Sequence, residues 1–325
     1  MKKIISIICT IAITAATPLL LTSCSGIKAE QEDKIKIVST IFPIYDWTRQ
    51  IIGEDNMDKF ELTLLINSGI DMHSYNPSVQ EVLAIKNCDV FIYPGGHSDN
   101  WVGDIMADVE RDITMINLLE ILGDDMLIAG GGCGEDCDED HDHQEDSDDD
   151  VPDEHIWFSL RCAAVVCEAI ADMLVQVEPD NAQSYRENLV SYSAVLSELD
   201  SRYQAAADNA NTKTLVVADR FPFRYMANDY GIQYYAAFDG CSAESEASFV
   251  TITSLATRIN QLGLTAVVVT ETSDKKIAET VISSTNDKNQ RILVLDSMHM
   301  SNEDTATYIS IMKSNLDALS DALSY

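Results

Sequence analysis

The sequence predicts an α/β protein: two lobes with mainly parallel sheets, joined by one long connecting helix. Three observations carry this expectation. Short β-rich runs alternate with helical stretches along the whole chain, the pattern of strands linked by crossover helices. Runs such as AVVVTE and ILVLD are apolar almost throughout, which suits strands covered on both faces. Between the two halves, Tyr185, Leu189, Tyr192, Leu196, Leu199 and Tyr203 recur at alternating spacings of four and three, which makes one apolar stripe on a helix.

In chain order, strands are expected at Ile35–Thr40, Leu62–Ile66, Asp89–Tyr93 and Ile113–Asn117, then at Leu215–Ala218, Gln233–Tyr235, Ala266–Glu271 and Ile292–Asp296. Helices are expected at Asp46–Ile52, Ser78–Lys86, Leu160–Gln176, Ile252–Leu262, Lys275–Ser284 and Thr305–Leu323. Pro179 stands where a first-turn proline would start the connecting helix. At 1.5 Å per residue that helix would run about 40 Å. The expected organisation is a signal peptide over 1–23, a tether over 24–33, a Rossmann-like lobe over 34–178, the helix over 179–208 and a second lobe over 209–325. No internal sequence repeat marks the halves as duplicates.

The net charge is −33, from 54 acidic and 21 basic residues. Thirteen of the acidic residues crowd into 133–154, CGEDCDEDHDHQEDSDDDVPDE. The remainder is still strongly acidic, so nucleic acid is an unsuitable partner and a cationic ligand suits the field. An acidic run of this kind stays solvated. Its Asp, His and Cys side chains are metal ligands once deprotonated, so Cys133, Cys137, His141 and His143 are candidates for collecting metal ions.

Lys2 and Lys3 precede an apolar stretch from Ile4 to Leu21 that closes with Leu-Thr-Ser-Cys24. This is the layout of an export signal. Its ending resembles a bacterial lipoprotein cleavage box, in which Cys24 becomes the lipidated N-terminus. The expected location is therefore the outer face of the cytoplasmic membrane. The cysteines beyond it do not form a Cys-x-x-Cys zinc framework, and no disulfide follows from their spacing.

Three segments carry ligand chemistry. GIDMHSYNPS places His73 in a strand-to-helix loop, because Ser78 and Glu81 fit a capping box. DEHIW places His155 just before a helix, and LVLDSMH places Asp296 and His299 at the end of a strand. Loops at the carboxyl ends of strands form the binding crevice of open α/β sheets. Imidazoles with one carboxylate suit a first-row metal ion.

On GIDMHSYNPS, GGHSDNWV, DEHIWFSL, FPFRYMANDYGI and SFVTI, the chain resembles the lipid-anchored solute-binding proteins of bacterial zinc and manganese ABC importers, the ZnuA/TroA type, from Ile35 to Leu323. The resemblance implies two lobes that sandwich a metal beneath a rigid helix, with His73 and His155 as ligands. It implies an ABC permease and its ATPase as partners, a lipid-held monomer, and an acidic metal-collecting loop. One position departs from the family. Where a His or Glu ligand is usual, this chain has Arg220, and a guanidinium cannot bind a cation. Arg220 is expected to orient a carboxylate such as Asp219 or Glu244. The third ligand is expected to be His299, with Glu244 second and Asp296 as the carboxylate. His97 is expected at the mouth of the site.

The expected function is capture of Zn²⁺ between the lobes and delivery to a permease, with no chemistry performed. Mn²⁺ would prefer more oxygen ligands. The alternatives are a manganese receptor, a surface adhesin, and a secreted zinc hydrolase with Glu154 or Glu271 as general base. Against the hydrolase, H-E-x-x-H and G-x-S-x-G are both missing from the chain.

Overall fold

Two four-stranded parallel sheets organise the chain, and their strand orders correspond. The first holds β1 (Ile35–Ser39), β2 (Phe60–Leu64), β3 (Val90–Tyr93) and β4 (Thr114–Asn117) in the order β2-β1-β3-β4. The second holds β5 (Thr214–Phe221), β6 (Gln233–Asp239), β7 (Ala266–Thr270) and β8 (Arg291–Leu295) in the order β6-β5-β7-β8. A computed structural model describes residues 34–67, 69–123, 127, 152–240, 246–299, 301 and 306–324. The signal peptide and tether, with Cys24, lie outside the described residues, as do Cys133, Cys137, His141, His143 and Glu244.

Every expected strand is present, and so is every expected helix: α1 (Phe42–Ile52), α2 (Val79–Asn87), α5 (Leu160–Val177), α8 (Phe249–Leu262), α9 (Lys276–Ser283) and α10 (Tyr308–Leu323). Three short helices were not foreseen: α3 (Trp101–Met106), α4 (Leu118–Leu122) and α7 (Arg224–Tyr230). Each has seven residues or fewer, too few for a periodic signal to emerge. The capping box before α2 is formed in both directions, with Ser78 N donating to Glu81 Oε2 (2.6 Å) and Glu81 N to Ser78 Oγ (3.4 Å).

The connecting helix α6 runs from Ala182 to Asp208 after a 3-10 turn at Pro179–Asn181. Its stripe is buried at Tyr185, Tyr192, Leu196, Leu199 and Tyr203, against α1 and α5 on one side and α10 on the other. Tyr203 also donates from its hydroxyl to the Met312 carbonyl of α10 at 2.6 Å. One continuous apolar core takes in Ile37, Val90 and Phe91 of the first sheet, the buried face of α6, and Leu215, Val217 and Val268 of the second. A smaller cluster, from Val216, Val267 and Val269 to Leu255 and Val281, seats α8 and α9 on the other face of the second sheet. Among the described residues, Cys88 and Cys167 are buried free thiols.

In both sheets the first strand has neighbours on both sides, so chain connections leave it in opposite directions. The crevice at the carboxyl ends of such strands is where open α/β sheets bind ligands. The turns after β2, β3, β7 and β8 all open there.

Candidate metal centre

Three histidines reach this crevice, each two residues after a polar anchor: Asp71-Met-His73, Asp153-Glu-His155 and Ser297-Met-His299. His73 lies in a 3-10 turn after β2, whose Asp71 cap accepts the His73 amide at 3.0 Å. His155 is fully buried just before the turn Ile156–Phe158. Its amide and its Nδ1 both bond Asp153 Oδ1 at 2.9 Å. His299 follows β8, held where its amide donates to Glu271 Oε1 (3.2 Å) and its carbonyl accepts from Gly69 N across the lobes (3.0 Å).

The tautomers follow from these partners. Asp153 is acceptor-only, so His155 Nδ1 carries the proton and Nε2 keeps its lone pair. The Ser297 hydroxyl donates to Glu271 (2.8 Å), which leaves its oxygen to accept from His299 Nδ1 (2.5 Å). His299 Nε2 is then a bare acceptor, and it is buried without a hydrogen-bond partner. His73 Nδ1 meets Ser98 Oγ at 2.8 Å and lies 3.9 Å from Glu154, which favours a proton there and a lone pair on Nε2. His73 Nε2 and His155 Nε2 stand 3.2 Å apart. Two imidazole nitrogens on one tetrahedral zinc ion, each at 2.0–2.1 Å, would lie about 3.3 Å apart.

The electrostatics keep His73 and His299 neutral. Burial, with the charge of His155 next, drives His73 down to about 3. Burial and His155 likewise lower His299. Neutral imidazole is the form that binds metal. Among the described residues, no three His, Cys, Asp or Glu side chains are yet grouped closely enough to hold an ion together. A cavity of about 430 Å³ opens beside the histidines, lined by Asp71, His73, Arg220, Thr270, Ser297 and His299 among others.

The Arg220 amide donates to Asp219 Oδ1 (2.8 Å), but its guanidinium does not pair with that carboxylate, and Glu244 lies outside the described residues. A register shift in β5 between Val217 and Arg220 re-aims the strand end. Asp219 turns to Thr270, accepting from its amide (3.1 Å) and its hydroxyl (2.7 Å). Arg220 crosses the crevice instead and pairs with Asp71 at 2.8 Å. Asp296 does not line the cavity. Its carboxylate accepts from Met298 N (2.7 Å), and burial with the charge of Glu271 raises its pKa. The carboxylate beside His299 is Glu271. His97 is exposed and bonds Asn100 (3.2 Å); its neighbour Ser98 is the residue that meets His73.

Asp71, Ser98, Asp153, Arg224 and Ser297 were missed as site residues, and Glu271 was named only as a base for the hydrolase alternative. Asp153 is gripped by Arg224 at 3.2 Å; burial pushes its carboxyl up, but His155 and Arg224 outweigh that and leave it low. The i−2 spacing of a polar residue before each histidine was the available signal. Glu154 spends Oε1 on the Ser98 amide at 2.7 Å, and Gly96 is what lets it approach. At Gly96 φ is +84°, and an added Cβ would lie 2.6 Å from Glu154 Cγ.

A family model described as zinc-uptake complex component A, periplasmic, matches residues 37–322. The zinc-binding protein AdcA of Streptococcus pyogenes is 29% identical over 257 residues, covering 77% of this chain and 48% of that protein. The chain thus spans about half the length of the streptococcal relatives it matches. The high-affinity zinc uptake system protein ZnuA of Bacillus subtilis is 29% identical over 318 residues, covering 96% of each chain. The crystal structure of the Zn(II)-bound ZnuA-like domain of Streptococcus pneumoniae AdcA superposes with a TM-score of 0.69 at 26% identity, over 90% of this chain and 99% of that one.

Proposed function

The chain belongs to the zinc-uptake complex component A family, and from that premise we propose that it captures Zn²⁺ between its lobes and hands it to an ABC permease. The carrying observation is the 3.2 Å separation of the His73 and His155 Nε2 atoms, the spacing that one tetrahedral zinc ion requires. His299 supplies the third nitrogen. Asp153, Ser98 and the Glu271–Ser297 pair fix the ring tautomers, and bound zinc needs that support. Asp296 holds the His299 loop through the Met298 amide. Three imidazole nitrogens favour zinc over manganese.

The family is a transport component, so the protein binds and releases its cargo without making or breaking covalent bonds. Of the bases a hydrolase would have used, Glu154 Oε1 accepts the Ser98 amide and Glu271 accepts from Ser297. The protein works outside the cytoplasm as a monomer, held to the membrane through lipid on Cys24. The acidic segment 133–154 gathers metal ions for the central site.

Isothermal titration of the metal-stripped protein from Ser25 onward, with Zn²⁺ and then Mn²⁺, tests the reading. One tight zinc equivalent, lost in His299→Ala, is expected. Tight binding of manganese alone, or an unchanged tight site in His299→Ala, would overturn it.

A further inference from the structure

We propose that Asp71 is the fourth, carboxylate ligand of the bound ion, and that Arg220 is an internal counter-cation which the ion must displace to reach it. The inference rests on the metal-capture reading above.

The argument begins with the repeated spacing. Asp71 and Asp153 each accept the amide of the histidine two residues on through Oδ1 and each face an arginine through Oδ2, but they differ at the imidazole ring. Asp153 also bonds the ring of its own histidine, so it is committed to orienting that ring. The ring of His73 is oriented from elsewhere, by Ser98. Asp71 is therefore not needed for that task. Its Oδ1 is anchored by the His73 amide, while its Oδ2 faces Arg220 across the cavity that His73 and His299 also line.

A carboxylate oxygen completes three imidazoles to the four N/O donors zinc prefers. A guanidinium offers no donor to a metal but satisfies a carboxylate well. It sits on β5 at the end re-aimed by the register shift, so it enters the cavity from the lobe opposite Asp71. The pair stands in for the cation: it neutralises Asp71 and links the lobes. An entering divalent ion takes the Asp71 oxygen, and its charge repels Arg220 from the site. Ions too weakly attracted to Asp71 to break the pair are excluded, so Arg220 sets a threshold for occupancy.

Zinc titrations of the wild-type protein, Asp71→Asn, Arg220→Gln and the double variant, each paired with melting of the metal-free form, test this. Arg220→Gln should lower the melting temperature of the metal-free protein yet tighten zinc binding by about ten- to hundredfold, the worth of one charge-assisted hydrogen bond. Asp71→Asn should weaken zinc, and by a larger factor in the Arg220→Gln background. With Co²⁺ as probe, Asp71→Asn should shift the visible ligand-field bands and Arg220→Gln should leave them in place. If both variants weaken zinc equally and the double variant is no worse, the pair only braces the lobes and the inference is overturned. Wild-type protein that binds no zinc, or that binds it undiminished in His73→Ala, would overturn the metal-capture reading itself.

Discussion

Asp153 holds His155 twice with one oxygen, accepting from its backbone amide and its ring Nδ1 at 2.9 Å each. The other oxygen lies 3.2 Å from Arg224. The double contact fixes both the place and the tautomer of a buried imidazole; burial pushes the carboxyl up, but His155 first and then the guanidinium hold it low. Asp153→Asn preserves the shape and removes the charge. Zinc affinity should fall about 10- to 100-fold, the usual effect of losing an outer partner of a metal-bound histidine. Titration calorimetry reads this, and an unchanged dissociation constant would show that the ring is held by its burial alone.

A second prediction concerns protons. Burial, then the charge of His155, sets His73 at about 3 in the folded protein, against about 6.5 in an unfolded chain. Between those values the unfolded state takes the proton and the folded state does not. His73 therefore costs the metal-free protein stability as pH falls below about 6.5, by at most about 1.4 kcal/mol per pH unit. Asp99 works in the opposite sense, because burial, together with Glu154 and against the Gly95 amide, pushes it up to about 7. The His73 contribution is thus read as the difference in urea stability between wild type and His73→Gln at pH 7.5 and pH 5. The wild type should lose its relative advantage at the lower pH; a constant difference would be the contrary result.

A third concerns the connecting helix. Leu196 is buried in the middle of the α6 stripe. Leu196→Ala removes side-chain volume from a shared core and should cost about 2–5 kcal/mol, measured as a lower urea midpoint. The number of zinc equivalents bound should not change, since Leu196 is not part of the crevice lining.

A fourth separates the acidic segment from the central site. Removal of residues 133–150 should leave one tight zinc equivalent and abolish the weaker ones. Loss of the tight equivalent would mean that the segment supplies a ligand of its own.

Sequence patterns that repeat over several turns or strands were legible. The six-residue stripe of α6, the fully buried apolar run of β7 and the Ser78–Glu81 box each reflect a local rule and appear in the structure, whereas β8, at the sheet edge, forms a strand with only Leu295 buried. The equivalence of the two sheets was not legible, because strand order depends on which strands pair and not on which residues they contain. The histidines were found because imidazoles at strand-to-helix junctions stand out. Their supporting residues were not, apart from a spacing that only geometry makes meaningful. Arg220 shows why: its amide donates to Asp219, while its guanidinium crosses to Asp71, a contact between segments far apart in the chain that no local pattern announces.

The single core that runs from the first sheet through α6 into the second has a mechanical consequence. Swinging the halves wide apart would tear apolar surface open to water, a penalty that scales with the area exposed. The polar crossings at the rim, Arg220 to Asp71 and Gly69 to His299, can part without touching that core. Entry and escape of the ion are thus matters of loosening a collar and not of opening a jaw. On the proposed function, that collar would set the residence time of the ion and be the place where a docked permease acts.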